Sequence, residues 1–462
     1  MTTEDWVNLG YLAAAVCFVL ALKGLSSPKY ARRGSQVGSV GVLIAVVAVF
    51  FGLQSDDELG NLALIAIALL IGTGVGAVSA RRVRMTAMPQ MVAAFNGVGG
   101  AAAALVSLVE FEQAGQETGW GALAVVFAGL IGSVSASGSA LTFLKLQELM
   151  TGRPVVFPGM QVAMGASALG AVVLAALVIA TGGMTALVAL LVVGLVVGVL
   201  LVLPVGGADV PIVISLLNAF TGLAVAASGA ALGNVLLIIA GTLVGASGTM
   251  LTQMMASAMG RSVTGILFGA FSGPSSAGST AAVGEGRPVR TASPEDVSIM
   301  LGYAKKVIFV PGYGLAVAQG QHTLQELAQV LEARGIEVSY AIHPVAGRMP
   351  GHMNVLLAEA NVPYEALREM DEINPEFPRA DVALVVGAND VVNPAAQTKG
   401  SPIYGMPILH VDEAQQVVFL KRSMRPGFAG IENELLFNPK TSLLFGDAKE
   451  SLTKLLQSVK NL

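Results

Sequence analysis

Two regimes of apolar patterning divide this chain. Up to about residue 260 the apolar positions run in long stretches, and beyond residue 300 they fall in short runs separated by helical spacing. A helix that crosses a bilayer needs ~20 consecutive, mostly apolar residues. Nine stretches qualify: 7–25, 37–53, 59–80, 88–109, 120–144, 156–180, 184–203, 210–231 and 235–259. We therefore expect a polytopic α-helical membrane domain with nine transmembrane helices, occupying residues 1–271.

Residues 272–300 open with Ser-Gly-Pro-Ser-Ser-Ala-Gly-Ser-Thr, a composition that suits a flexible linker. A different pattern then begins. Val307 to Val310 is a β-type run that meets Gly312-Tyr313-Gly314, and Ala316, Val317, Leu324, Leu327, Val330 and Leu331 follow at helical spacing. Strand, glycine turn and helix open a dinucleotide-binding unit, in which glycines admit a pyrophosphate and the helix N-terminus offers N–H groups. Further strands are expected at 336–342, 381–386, 407–411, 417–420 and 442–445, with a closing helix at 448–459. Strands separated by helical patterns imply a parallel sheet with helices on both faces. Residues 301–462 thus read as a Rossmann-like α/β doubly wound parallel-sheet domain.

Charge in the loops orients the helices. Lys23, Lys29, Arg32 and Arg33 follow the first stretch, Arg81, Arg82 and Arg84 the third, Lys145 and Arg153 the fifth, and Arg261 the ninth. The loops after the second and fourth stretches carry Asp56, Asp57, Glu58, Glu110, Glu112 and Glu117 and no Lys or Arg. All the basic residues fall on one side, which the positive-inside rule assigns to the cytoplasm. The expected topology has the N-terminus outside and the C-terminal domain inside. The opening Thr-Thr-Glu-Asp lacks a basic n-region, so the first helix reads as retained rather than cleaved.

Composition agrees with this division and excludes several classes. The 462 residues are 54% hydrophobic and 12% charged, with mean hydropathy +0.71. A net charge of −4 argues against nucleic acid as a partner. Cys17 is the sole cysteine, which rules out an intrachain disulfide and a thiolate zinc site. All four His (His322, His343, His352, His410) lie in the soluble part, so a membrane haem held by helix histidines is excluded.

The membrane part contains a repeat. Ala94-Phe95-Asn96-Gly97 resembles Ala219-Phe220-Thr221-Gly222, and the Ala136–Thr142 stretch resembles Ala246–Thr252. Both pairs start on the same side, giving a parallel repeat that makes Asn96 and Thr221 equivalent, and transport sites tend to lie at repeat interfaces. Gly72, Gly74, Gly76 and the Ser133–Ser139 run read as small-residue packing faces. No Asp, Glu, Lys or Arg sits mid-helix, so a proton path within this chain would rely on amides, hydroxyls and water. Asn96, Asn218, Thr221 and Asn234 are the candidates, although a hydrogen bond between helices is the commoner use of such residues.

Which dinucleotide the second domain takes is legible at two strand ends. An NAD site usually has an acid about 20 residues past the glycines, but here Ala341-Ile342-His343-Pro344 offers none. Another strand ends in Lys421-Arg422-Ser423, two cations and a hydroxyl that suit either a 2′-phosphate or solvent. The missing acid favours NADP. Val317 replaces the third glycine of the usual fingerprint.

Gly-Tyr-Gly-Leu-Ala-Val-Ala-Gln, His-Pro-Val-Ala-Gly-Arg-Met-Pro-Gly, Asp-Glu-Ile-Asn, Gly-Ala-Asn-Asp-Val-Val-Asn-Pro-Ala-Ala and Lys-Arg-Ser occur in that order behind nine helices. Together they closely resemble the beta subunits of proton-translocating NAD(P) transhydrogenases, over essentially the whole chain. The resemblance implies NADP(H) held by Gly312, Tyr313, Gly314, Ala316 and Val317 at the turn, and by Val345, Gly347, Arg348, Pro350 and Gly351 after the second strand. It adds Gly387, Ala388, Asn389 and Asp390, then Lys421, Arg422 and Ser423 on the 2′-phosphate, and Gly430. It also implies a partner alpha subunit carrying NAD(H), a dimer of alpha–beta units, lipid around the helices and a bacterial inner membrane. Residues 1–271 would then translocate protons.

One position departs from the family. Bacterial relatives carry Met-Pro-x-x-Val-Ala-x-x-His in the membrane, and this chain reads Met88-Pro89-Gln90-Met91-Val92-Ala93-Ala94-Phe95-Asn96. An amide does not carry protons, so a titratable group on the partner's helices is expected to face Asn96 and Thr221. Asp390 and the Asp371-Glu372-Ile373-Asn374 loop are expected to link the nucleotide to membrane protonation, with surface acids the plainer reading of Asp371 and Glu372. The implied activity is hydride transfer between NAD(H) on the partner and NADP(H) here, coupled to inward proton movement. The alternative is a nucleotide-gated transporter or channel with an NADP-sensing domain.

Overall fold

A computed structural model describes residues 3–52, 61–113, 120–147, 149–151, 154–206, 209–258, 262–268, 287–347, 351–398, 401, 403–427 and 431–462. The chain divides into two compact units, Met1–Thr252 and Gln253–Leu462.

Among the described residues nine helices are long and apolar enough to cross a membrane. They are α1 (Thr3–Leu25), α2 (Pro28–Gly52), α3 (Leu62–Arg82), α4 (Met88–Gln113), α5 (Trp120–Leu146), α6 (Met160–Thr181), α7 (Met184–Val202), α8 (Val210–Ala231) and α9 (Val235–Ala258). The sequence placed each of them, with one notable shift. Helix α2 starts at 28 rather than 37, because its polar first turns fall below any hydropathy threshold while still forming helix.

Helix α5 is the hub of this unit and packs against α4, α7 and α8. Small residues make that possible: a Cβ added at Gly100 of α4 would stand 2.9 Å from Ala136 N of α5, so the two backbones nearly touch. Helix α3, by contrast, buries none of its residues.

Two polar clasps close the ends of these helices. Gln90 Nε2 at the start of α4 donates to Leu146 O at the end of α5 at 3.1 Å. Lys145, only 3% exposed, donates to Val202 O, Leu203 O and Val205 O at 2.9, 2.7 and 2.8 Å. These carbonyls lie at and just past the end of α7, where the intrahelical ladder stops, and a cation suits the negative end of the dipole. Lys145→Met should therefore cost on the order of 3 kcal/mol. The check is the thermal midpoint of the detergent-solubilised protein by far-ultraviolet circular dichroism, with Lys145→Arg recovering most of the loss.

The second unit is built on a six-stranded parallel sheet in the order β3-β2-β1-β4-β5-β6. Its strands are β1 (Lys306–Pro311), β2 (Glu337–Ile342), β3 (Leu367–Glu369), β4 (Val382–Val386), β5 (Gln416–Lys421) and β6 (Thr441–Phe445). Strand β4, Val-Ala-Leu-Val-Val, is buried at every position, as a strand covered on both faces must be. Val307, Phe309, Leu384 and Val418 face a core closed by α10 (Pro294–Gly302), α11 (Tyr313–Ala318), α12 (Gln321–Glu332), α13 (His352–Glu359) and α15 (Ala448–Lys460). Ile308, Val310, Ala383, Val385 and Phe419 face a second core.

Three expectations need correction. The second face is covered mostly by short 3-10 turns and the four-residue helix α14 (Met370–Ile373) rather than by long helices, since Pro375, Pro378 and Pro394 interrupt the backbone ladder there. Residues 407–411 form no strand, because their backbone groups are taken by side chains and by Val391, as described below. Strand β3 was missed: Leu-Arg-Glu is too short and too polar to register as a strand.

Of the stretch read as linker, residues 287–300 are part of this unit. Ala292 N donates to Leu443 O and Leu443 N to Arg290 O, at 3.0 and 2.8 Å, which covers the free edge of β6. Ser293 and Asp296 form a capping box at the start of α10, whose Val297 and Leu301 are fully buried.

Candidate functional site

Parallel pairing brings Pro311 level with Val386, so the chain beyond β1 and the chain beyond β4 leave the sheet side by side. This is where the strand order reverses, the place where open α/β sheets bind ligands. Gly312 N donates to Val386 O and Gly314 N to Gly387 O, each at 2.9 Å. Gly387 has φ +70°, and a Cβ on Gly314 would stand 2.7 Å from Gly387 Cα. The three glycines therefore interlock two loops, and two of the N–H groups expected at a phosphate serve that contact instead. Helix α11 ends after six residues at Gln319, whose φ is +52°, so the expected long helix is split into α11 and α12.

The other implied residues arrange themselves around this crossing. Ala316 is buried and Val317 is 47% exposed. The Tyr313 ring lies 6.0 Å from that of His352, which is buried and also packs on Gly347, a residue with φ +115°. Gly351, with φ +66°, opens α13. Val345 N donates to His343 Nδ1 at 3.2 Å, and burial pushes His343 down to about 4, so its imidazole is neutral near pH 7. Arg348, Pro350 and Gly430 lie outside the described residues.

Beyond β4, Ala388 is buried, and Asn389 collects the loop's polar contacts. Its Oδ1 accepts from Lys421 Nζ at 3.0 Å, its Nδ2 donates to Asp390 Oδ1 at 3.0 Å, and its backbone oxygen accepts from Asn433 Nδ2 at 3.0 Å. Burial lowers the Lys421 pKa, and the Asp390 carboxylate pushes it back up. Arg422 and Ser423 are exposed, so the Lys-Arg-Ser run divides into one inward cation and two outward groups.

Sequence reasoning missed Asn433, which is 1% exposed, and Gly427, where a Cβ would stand 3.0 Å from Asp390 Cγ. Asn433 Oδ1 also caps the turn that follows it, accepting from Leu435 N at 3.0 Å. An Asn before Glu-Leu-Leu-Phe carries that capping signal but not its reach to Asn389.

In the membrane unit the repeat positions meet. Asn96 Nδ2 donates to Ser139 Oγ at 2.8 Å and to Ser135 Oγ at 3.3 Å. Ser135 Oγ lies 2.6 Å from Thr221 Oγ1 and 2.9 Å from Leu217 O. Thr221 Oγ1 lies 3.1 Å from Leu217 O. A thread of amide and hydroxyls thus crosses from α4 through α5 to α8. The Ser133–Ser139 run was expected to be packing surface only, but Ser135 and Ser139, both fully buried, are the links. Asn234 has the plainer role, accepting from Leu237 N at 3.1 Å at the start of α9. Asp371 and Glu372 are exposed, whereas Asn374 of the same motif holds another segment of the domain.

Comparison with known proteins gives this architecture its relatives. The NAD(P) transhydrogenase subunit beta of Rhodospirillum rubrum is 48% identical over 466 residues, covering 99% of this chain and 100% of the relative. The same subunit from a named strain of that organism matches at the same identity and coverage. The family model described as NAD(P) transhydrogenase beta subunit matches residues 7–458, and the chain belongs to that family of integral membrane proteins.

Proposed function

We propose that this chain holds NADP(H) and exchanges hydride with NAD(H) on a partner alpha subunit, coupled to inward movement of protons across the membrane. The observation that carries this reading is the interlocked glycine turn at the strand switch point, next to a half-buried lysine and with no acid at the end of β2. These residues suit the group. The glycines let the loops after β1 and β4 approach with their backbones in contact, and Lys421, Arg422 and Ser423 at the end of β5 offer two cations and a hydroxyl to a phosphate. His343 stands where an NAD site has its acid, and it is buried with both ring nitrogens engaged.

Gly312, Tyr313, Gly314, Ala316 and Val317 would hold the dinucleotide at the turn, and Val345, Gly347, Arg348, Pro350 and Gly351 on the next loop. Gly387 to Asp390 and Gly430 would complete the site. The bound nicotinamide supplies or accepts the hydride. The chain's own part is to fix that ring and exclude water, since hydride transfer needs no side-chain acid or base.

The 2′-phosphate is remote from the ring, so the two nucleotide couples are nearly balanced and an outside bias is needed. One charge crossing 100 mV is worth about 2.3 kcal/mol, which shifts such an equilibrium roughly 50-fold. Ser135, Ser139 and Thr221 relay protons with water, Asn96 holds Ser135 and Ser139 in place by hydrogen bonds, and a titratable group on the alpha subunit's helices faces Asn96 and Thr221. Asp390 links the nucleotide to that protonation. The assembly is a dimer of alpha–beta units in a bacterial inner membrane, with the N-terminus outside and the nucleotide unit in the cytoplasm.

Reconstitution into liposomes tests this reading. With an alpha subunit present, reduction of an NAD analogue by NADPH should proceed together with a pH change reported by an enclosed dye. The chain alone should bind NADP(H) and transfer no hydride. Proton flux without hydride transfer would instead favour a gated channel.

A further inference from the structure

Residues 407–410 lie between β4 and β5 with no strand beside them, yet their backbone is pinned at four points. Pro407 O accepts from His343 Nε2 at 2.8 Å. Ile408 O accepts from Asn374 Nδ2 at 3.0 Å, and His410 N donates to Asn374 Oδ1 at 3.1 Å. Leu409 N donates to Val391 O at 2.9 Å. The amide of Asn374 thus engages the carbonyl before Leu409 and the N–H after it, as a residue of a neighbouring strand would. His343 accepts from Val345 N through Nδ1, which puts its ring proton on Nε2 and makes it the donor to Pro407 O. Ile408 and Leu409 are buried, so water cannot replace these bonds.

We infer that His343 and Asn374 are positioning residues for the Asp390 turn. They lock segment 407–410, and that segment, through Leu409, holds Val391 and so fixes Asp390 relative to the loop after β2. This inference rests on the proposal that Asp390 links nucleotide and proton. Both residues belong to sequence motifs singled out on other grounds, His-Pro-Val-Ala-Gly-Arg and Asp-Glu-Ile-Asn, and their side-chain bonds run to Val345 and to segment 407–410. The brace joins the nucleotide loop at 343–347 to the turn at Asp390–Val392, so the two shift together or not at all.

Two conservative substitutions separate the arms of the brace. His343→Gln keeps a donor where Nε2 was, and His343→Asn keeps only an acceptor where Nδ1 was. In liposomes with an alpha subunit, His343→Asn should lower kcat of coupled hydride transfer about tenfold, and His343→Gln should stay within about threefold of the parent. The KM for the NAD analogue and the thermal midpoint should be alike in the two variants, which a merely structural role would not allow. Equal kcat losses in both, or none in either, would overturn the inference.

A double variant of His343→Asn with Asp390→Asn should be no slower than Asp390→Asn alone, because the brace acts through Asp390. Multiplied losses would remove the brace and leave the role of Asp390 standing. Normal coupled turnover in Asp390→Asn alone would remove that role and the brace with it.

Discussion

Replacing Ser135 by Ala should break proton-coupled hydride transfer and leave NADP(H) binding intact. Ser135 is 0% exposed and is the one described side chain that bonds both repeat positions, Asn96 at 3.3 Å and Thr221 at 2.6 Å. Its removal leaves Asn96 with Ser139 and Thr221 with a backbone carbonyl, so the thread is cut between α4 and α8. Alanine keeps the helix and nearly the same volume against Gly100, so packing is preserved. Both neighbours keep a partner, so the fold should hold, while the missing hydroxyl interrupts the thread and should lower the coupled rate on the order of tenfold or more, about 1.4 kcal/mol of barrier. Ser133→Ala is the control, since Ser133, two residues before Ser135, packs against Gly194 and takes no part in the thread. The measurement is proton uptake and hydride transfer in the same liposomes, with NADP(H) affinity determined alongside. Undiminished proton movement in Ser135→Ala would show that protons pass elsewhere.

The sequence made the architecture legible because its largest signals are long-range in composition and short-range in pattern. Nine apolar stretches and a strand that runs into Gly312-Tyr313-Gly314 need no tertiary information to be seen. What stayed hidden depends on partners far along the chain. The Ser133–Ser139 run looks like any small-residue helix face, and only the approach of α4 and α8 turns Ser135 and Ser139 into links. Residues 407–411 have the composition of a strand, but His343 and Asn374 occupy the groups that a ladder would use. The glycine turn does follow β1, but its glycines admit the loop at Gly387, a close approach that the local sequence around Gly312 and Gly314 does not announce. Asn433 lies 44 positions from the Asn389 carbonyl it binds, and no local pattern marks that pairing.

Asp390→Asn should stall coupled turnover by tenfold or more without unfolding the domain. The substituted amide can still present an oxygen to Asn389 Nδ2, which now donates to Asp390 Oδ1 at 3.0 Å, so the turn keeps its shape. What disappears is a negative charge beside Lys421. That lysine is half-buried and already lowered by desolvation, and Asp390 is the group that raises it. Without the carboxylate its pKa falls further. A base with a lowered pKa loses its proton at lower pH, so the cation that the proposed site would offer to a phosphate is lost earlier on the alkaline side. In Asp390→Asn, NADP⁺ affinity should therefore decline at a lower pH than in the parent protein, with acidic conditions restoring it. Titrating NADP⁺ across the alkaline range, beside turnover in liposomes, separates the two consequences. A lost rate with an unmoved affinity profile would mean that Asp390 acts on the coupling directly and not through Lys421, whereas normal coupled turnover would remove Asp390 from the mechanism.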